Sequence, residues 1–220
     1  MSDFIIPGRY DFSVPEAQWL SDLASIDSDL EAVIRICNRC EKISGGVGLP
    51  AESASLSWLD DLLALGDLMF AAVIRYGRTL ATGVRKGIPK SWIEALPEES
   101  RRCHEYFKAL RDKYVAHSIN QLEDSQVFVM LSPQFSEDQR PAHITVDRGR
   151  LVTLGASDIA LLRSLAEKLR AVVTQEIESE TARLLALAQQ MPIAEIKARG
   201  SESVPIPSKA GAFEGRRPFT

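Results

Sequence analysis

Between Leu56 and Ala81 the apolar residues return every three or four positions: Leu56, Leu59, Leu63, Phe70, Val73, Ile74, Gly77, Leu80 and Ala81. That spacing suits one face of an α-helix and not the two-residue alternation of a strand. It predicts a helix over about 55–83, with an apolar stripe to be buried against other helices. Arg75 and Arg78 stand one turn apart near its end and therefore share a face. A chain organised around such a stripe belongs to the mainly α class.

Other helices can be placed around this one. Ser13 with Glu16 and Ser28 with Glu31 have the spacing of a capping box, and Pro15 suits a first helical turn. They predict one helix over about 14–24 and another over about 28–43, which Ser44-Gly45-Gly46 stops. The span 84–97, with Gly87, Pro89 and Pro97, reads as a connector holding one turn around Trp92. The next helix begins near Glu98 and runs to about Tyr114, burying Cys103, Phe107 and Leu110.

The period then changes. Residues 127–131, 142–146 and 150–154 read as three short strands, with Asp147-Arg148-Gly149 as a hairpin turn and His143 as a strand residue. Ser157 is expected to cap a long final helix over about 158–190. From Met191 onward, Pro192, Pro205, Pro207, Gly211, Gly215 and Pro218 interrupt a segment poor in large apolar residues, which reads as a disordered tail. The expected organisation is one helical domain over 1–190, a small antiparallel β insertion over about 125–155, and a tail over 191–220.

Composition excludes several classes. No apolar run approaches the roughly 18 residues of a membrane span, and the first residues lack the pattern of a signal peptide, so residence in the cytoplasm is expected. Three cysteines make no disulfide framework. Cys37 and Cys40 form a CxxC, but inside an amphipathic helical run without a shaping Gly or Pro. Buried thiols are the favoured reading, with no metal and no cofactor. There is no Gly-rich phosphate loop, serine elbow or HExxH.

The net charge of −4 argues against indiscriminate nucleic-acid binding. Its distribution is uneven. Arg75 to His117 holds ten Lys/Arg against five Asp/Glu, so that segment carries +5 and the remainder −9. A local basic field on an acidic body suits a polyanion; a solvated helix face explains the same charges equally well.

Within that basic segment lies Arg111-Asp112-Lys113-Tyr114-Val115-Ala116-His117-Ser118. Arginine neutralises phosphate through two parallel hydrogen bonds. Histidine exchanges a proton near neutral pH. On an unbroken helix six positions turn a side chain by about 600°, leaving Arg111 and His117 roughly 120° apart. They converge only where the helix bends or ends, or where a second copy completes the site.

The segment from Leu110 to Asn120 resembles the signature of the HEPN superfamily, an arginine, then a polar residue, then a histidine four to six positions after the arginine. Its wording is also similar to the abortive-infection type of HEPN protein found in phage defence. The likeness is strongest over about 55–123, and the strands lie outside the minimal HEPN bundle. The resemblance implies a bundle of four or five helices, a homodimer with motifs from both subunits in one cleft, and metal-independent RNA cleavage. Other members are noncatalytic modules that bind a nucleotide, RNA or a protein. It casts Arg111, Asp112 and His117 as catalytic, with RNA as substrate and an antitoxin or defence component as partner.

The softer candidates for substrate contact are Arg75, Arg78, His104, Lys113, Ser118 and Asn120. For Arg75 and Arg78 an ion pair with Asp67 or Asp112 competes with phosphate contact. His104, seven positions before Arg111, lies near the same helix face; a surface or core histidine is the alternative. Ser118 and Asn120 suit capping of the helix end better than a ribose contact.

Overall fold

A computed structural model describes residues 10–44, 56–80, 85–112, 123–131, 141–150 and 154–199. The protein is mainly α-helical with a two-stranded antiparallel sheet. After a 3-10 turn at Pro15–Ala17 come α1 (Gln18–Ser44), α2 (Leu56–Thr79), α3 (Lys90–Glu94) and α4 (Glu98–Leu110). Strands β1 (Glu123–Leu131) and β2 (Pro141–Arg150) follow, then α5 (Ala156–Gln189) and α6 (Ile193–Ala198). No helix among the described residues is long and apolar enough to cross a membrane.

The core is built where α1 meets α2 and α5, and α4 closes it from the side. Leu23, Ile26, Leu30, Val33, Cys37 and Cys40 are buried on α1 at the three-and-four spacing of one helix face. They meet Met69, Val73 and Tyr76 of α2, Phe107 of α4, and Ile159, Leu162, Leu165 and Leu169 of α5. Helices α1 and α5 run antiparallel. Trp19 donates to Glu176 Oε1 at 3.2 Å, Arg170 forks onto Asp27 at 2.8 and 3.3 Å, and Arg163 reaches Glu41 at 3.1 Å. A smaller cluster seats Val14 and Ala17 against Leu184, holding the chain's entry on the far end of α5.

The expected break at residues 25–27 is not there, because α1 runs through it. Ser28 would need extended backbone to act as a cap, and that would remove Ile26 and Leu30 from the continuous buried stripe. Core continuity outweighs one capping signal. The strands also differ from expectation. Asp147, Arg148 and Gly149 are not a turn but lie inside β2, opposite Gln126, Ser125 and Asp124. Strand β1 starts early enough, at Glu123, to offer each of them a partner. The connection between the strands therefore falls in 132–140, outside the described residues, as do residues 151–153 of the expected third strand. His143 does lie in β2, opposite Met130. Val127, Val129, Ile144 and Val146 of the ribbon are exposed.

Gly155, rather than Ser157, is the N-cap of α5; its N–H is accepted by Asp158 Oδ2 at 3.2 Å. The tail was expected to begin at Met191, yet Ile193–Ala198 add one more short helix after Pro192. Residues 200–220 lie outside the described residues. All three cysteines are free and buried. Burial pushes the Cys37 thiol up to about 12 and the Cys103 thiol up to about 11, so neither is a ready thiolate.

Two buried carboxylates on α1 tie the connector before α3 into the bundle. Asp22 accepts the Lys86 N–H at 3.1 Å and Gln18 Nε2 at 2.9 Å. Asp29, only 3% exposed, meets Arg75 at 3.0 Å, Arg78 at 3.3 Å and Arg85 at 3.1 Å. Replacing Asp29 with Ala leaves three guanidinium groups crowded without their anion. We expect a loss of about 3 kcal/mol in urea unfolding; a loss below about 1 kcal/mol would mean the cluster behaves as an ordinary exposed ion pair.

Candidate functional site

Helix α4 leads into Arg111 and Asp112, the first two residues of the motif. Pro97 precedes the first turn, and Glu98 and Glu99 sit where the helix dipole favours negative charge. Cys103, His104, Phe107 and Leu110 are buried along one side. The α-helix ends at Leu110, and Arg111 follows with helical backbone, its N–H still bonded to the Phe107 and Lys108 carbonyls. Arg111 and Asp112 thus continue directly from the helix end.

Arg111 Nη1 donates to Asp112 Oδ1 at 2.7 Å, and each side chain is 44% exposed. The arginine stem lies across the backbone of Gly77 on α2. A Cβ there would stand 2.7 Å from Arg111 Cγ and 3.1 Å from its Cδ. Glycine at 77 therefore provides the seat for the guanidinium-bearing chain.

His104 is set two turns earlier and faces the same helix. Its Nδ1 is 2.7 Å from the Tyr76 hydroxyl, and both residues are buried. Burial pushes the Tyr76 phenol well above its usual range, so it keeps its proton. Burial lowers the His104 pKa, an effect opposed by Glu105 and reinforced by Lys108. The other ring nitrogen, Nε2, is 3.8 Å from Glu105 Oε1.

Arg75 and Arg78 are elsewhere. Gly77 is about 100° round α2 from Arg78 and about 160° from Arg75, so the two arginines occupy a different face from the Arg111 seat. Neither Asp67 nor Asp112 is their ion-pair partner; both arginines hold Asp29 of α1. They remain 45% and 55% exposed, and with Arg85 they outnumber the carboxylate three to one. Lys113, His117, Ser118 and Asn120 lie outside the described residues.

Among the candidates, then, Arg111 and Asp112 pair with each other, Arg111 and His104 each contact α2, at Gly77 and Tyr76, and Arg75 and Arg78 turn to Asp29 instead. Asp29, Arg85 and Tyr76 were missed in the sequence. Asp29 had a faint signal, since it repeats Asp22 seven positions on, beside the apolar stripe of α1. Among the described residues, no group of three His, Cys, Asp or Glu side chains is placed to share a metal ion. No family model matches the sequence, and no curated protein or solved structure is significantly similar to it.

Two outcomes are expected. Gly77→Ala should destabilise the protein while Arg111 is present, yet stabilise it by up to about 1 kcal/mol in an Arg111→Ala background, where helix propensity acts alone. A double-mutant cycle by thermal melts tests that change of sign. His104 has its folded pKa below the unfolded value near 6.5. In that window the unfolded chain binds the extra proton, so stability is complete above it and falls as pH drops through it. Urea unfolding across the window should show the slope in the parent, and His104→Gln should flatten it.

Proposed function

We propose that this chain is a HEPN-like endoribonuclease that cleaves RNA without a metal ion, using Arg111, Asp112 and His117. The carrying observation is the Arg111 guanidinium at the end of α4, 44% exposed, bonded to Asp112 and with its stem seated over Gly77.

RNA brings its own nucleophile. In this reading an imidazole takes the 2′-OH proton, the 2′-oxygen bonds to phosphorus, and the bond to the 5′-oxygen breaks as that oxygen gains a proton. The products are a 2′,3′-cyclic phosphate and a 5′-hydroxyl. Proton transfer by His117 would contribute about 10²–10⁴-fold. Arg111 stabilises the charge that concentrates on the phosphoryl oxygens, and Asp112 orients the guanidinium. A homodimer supplies His117 twice, one copy as base and one as acid. Such a protein fits a cytoplasmic phage-defence or toxin component with an antitoxin or defence partner.

One observation favours a second reading, a noncatalytic HEPN module that binds a nucleotide, RNA or a protein. The Arg111 guanidinium is already engaged by Asp112, and Arg75 and Arg78 are committed to Asp29. RNA incubation with EDTA separates the two. A nuclease yields cyclic-phosphate ends, and His117→Ala and Arg111→Ala each abolish cleavage with the melting temperature preserved. Cleavage that persists in His117→Ala, or its absence in the parent protein, removes the catalytic reading.

A further inference from the structure

A cleft of about 300 Å³ opens between α3, α4 and the end of α2. It sits at the lower end of the size range for small-molecule sites, about 300–1,000 Å³. Leu80, Ile88 and Ile93 supply an apolar surface, and His104 contributes to the wall. Its charged groups are Lys90, Arg101 and Lys108 against Glu94 and Glu105, three cations to two carboxylates. Lys90 pairs with Glu94 at 3.2 Å. Arg101 donates to the backbone oxygen of Glu94 at 3.3 Å and makes no ion pair among the described residues. Lys108 makes no ion pair among the described residues.

We propose that this cleft binds a small amphiphilic anion, an aromatic or branched-chain carboxylate or phosphate monoester. Its apolar body lies on Leu80, Ile88 and Ile93, and its anionic head meets Arg101 and Lys108. The His104 imidazole, held at Nδ1 by the Tyr76 hydroxyl, adds one oriented polar group. An apolar pocket with a few convergent polar groups is what distinguishes a ligand site from a packing gap. Size excludes a long chain or a folded peptide. The site is independent of RNA cleavage, although Lys108 stands one turn before Arg111 on the same helix.

Titration of the full chain with phenyl phosphate and benzoate, followed by ¹⁵N-resolved NMR, tests the proposal. Inorganic phosphate and phenol serve as the two half-ligands. We expect saturable binding with shifts centred on α3 and α4, at least about tenfold tighter for either anion than for its half-ligand. Lys108→Ala and Ile93→Asn should each weaken it about tenfold, with unchanged melting temperatures confirming the fold. Comparison of the two anions identifies the preferred head group, carboxylate or phosphate. No saturation by either anion overturns the proposal, as does binding untouched by both substitutions or inorganic phosphate binding as tightly as phenyl phosphate. Binding without RNA cleavage would sink the nuclease reading alone; cleavage without binding would sink this one alone.

Discussion

A single buried carboxylate organises this molecule. Asp29 sits on the core-facing side of α1 and is shared by Arg75, Arg78 and Arg85. Removing a carboxylate from water costs several kcal/mol, and only close charged partners offset it. Three guanidinium groups at hydrogen-bond distance do so here, and they come from two places, the end of α2 and the connector that follows. Arg85 additionally donates to the backbone oxygen of Arg78, so the connector folds back on the helix it leaves. The chain path from α2 into α3 is therefore set by charge, and an apolar contact of similar area would tolerate sliding that these directed bonds do not.

With that path set, α2 divides its surface. One side gives Arg75 and Arg78 to α1. Another gives Tyr76, Gly77 and Leu80 to α4 and the cleft beside it. The absence of a side chain at Gly77 and the hydroxyl of Tyr76 shape what α4 can present. The first admits the stem of Arg111, and the second hydrogen-bonds a buried histidine. Motif and cleft thus sit on one helix–helix contact, and both depend on where Asp29 pins the end of α2. The surplus of guanidinium over carboxylate around Asp29 also leaves positive charge half-exposed on the neighbouring face, a field that suits polyanions.

The helices were legible wherever periodicity and breakers agreed. The existence of α2, the connector turn at Trp92, the start of α4 after Pro97 and the length of α5 all rest on local patterns that tertiary packing had no reason to override. The buried face of α2 was not legible: Leu65, Met69, Ala72 and Tyr76 are buried, while Leu63 and Ile74 of the expected stripe are exposed. Signals failed where they were local and the competing demand was not. The capping box at Ser28 lost to a buried stripe spanning it. The Asp147-Arg148-Gly149 turn lost to a longer partner strand. In the candidate site, Arg111 and Asp112 were readable as residue types in sequence, but their seat on Gly77 was not. A glycine on an apolar stripe does not announce which residue will cross it.

The amino-acid sequence alone determined the mainly α class, the places of α2, α4 and α5, and a basic segment ending in an arginine, a carboxylate and a histidine. These follow from residue type and spacing, which are properties of the chain before it folds. Tertiary structure decided which charges met. It gave Arg75 and Arg78 to Asp29 instead of a carboxylate nearer in sequence, and it buried His104 against Tyr76. Partner choice depends on which helix faces are pressed together. That is set by the sum of apolar burial across the bundle and by the cost of leaving any buried charge alone, and neither is a local property of the chain.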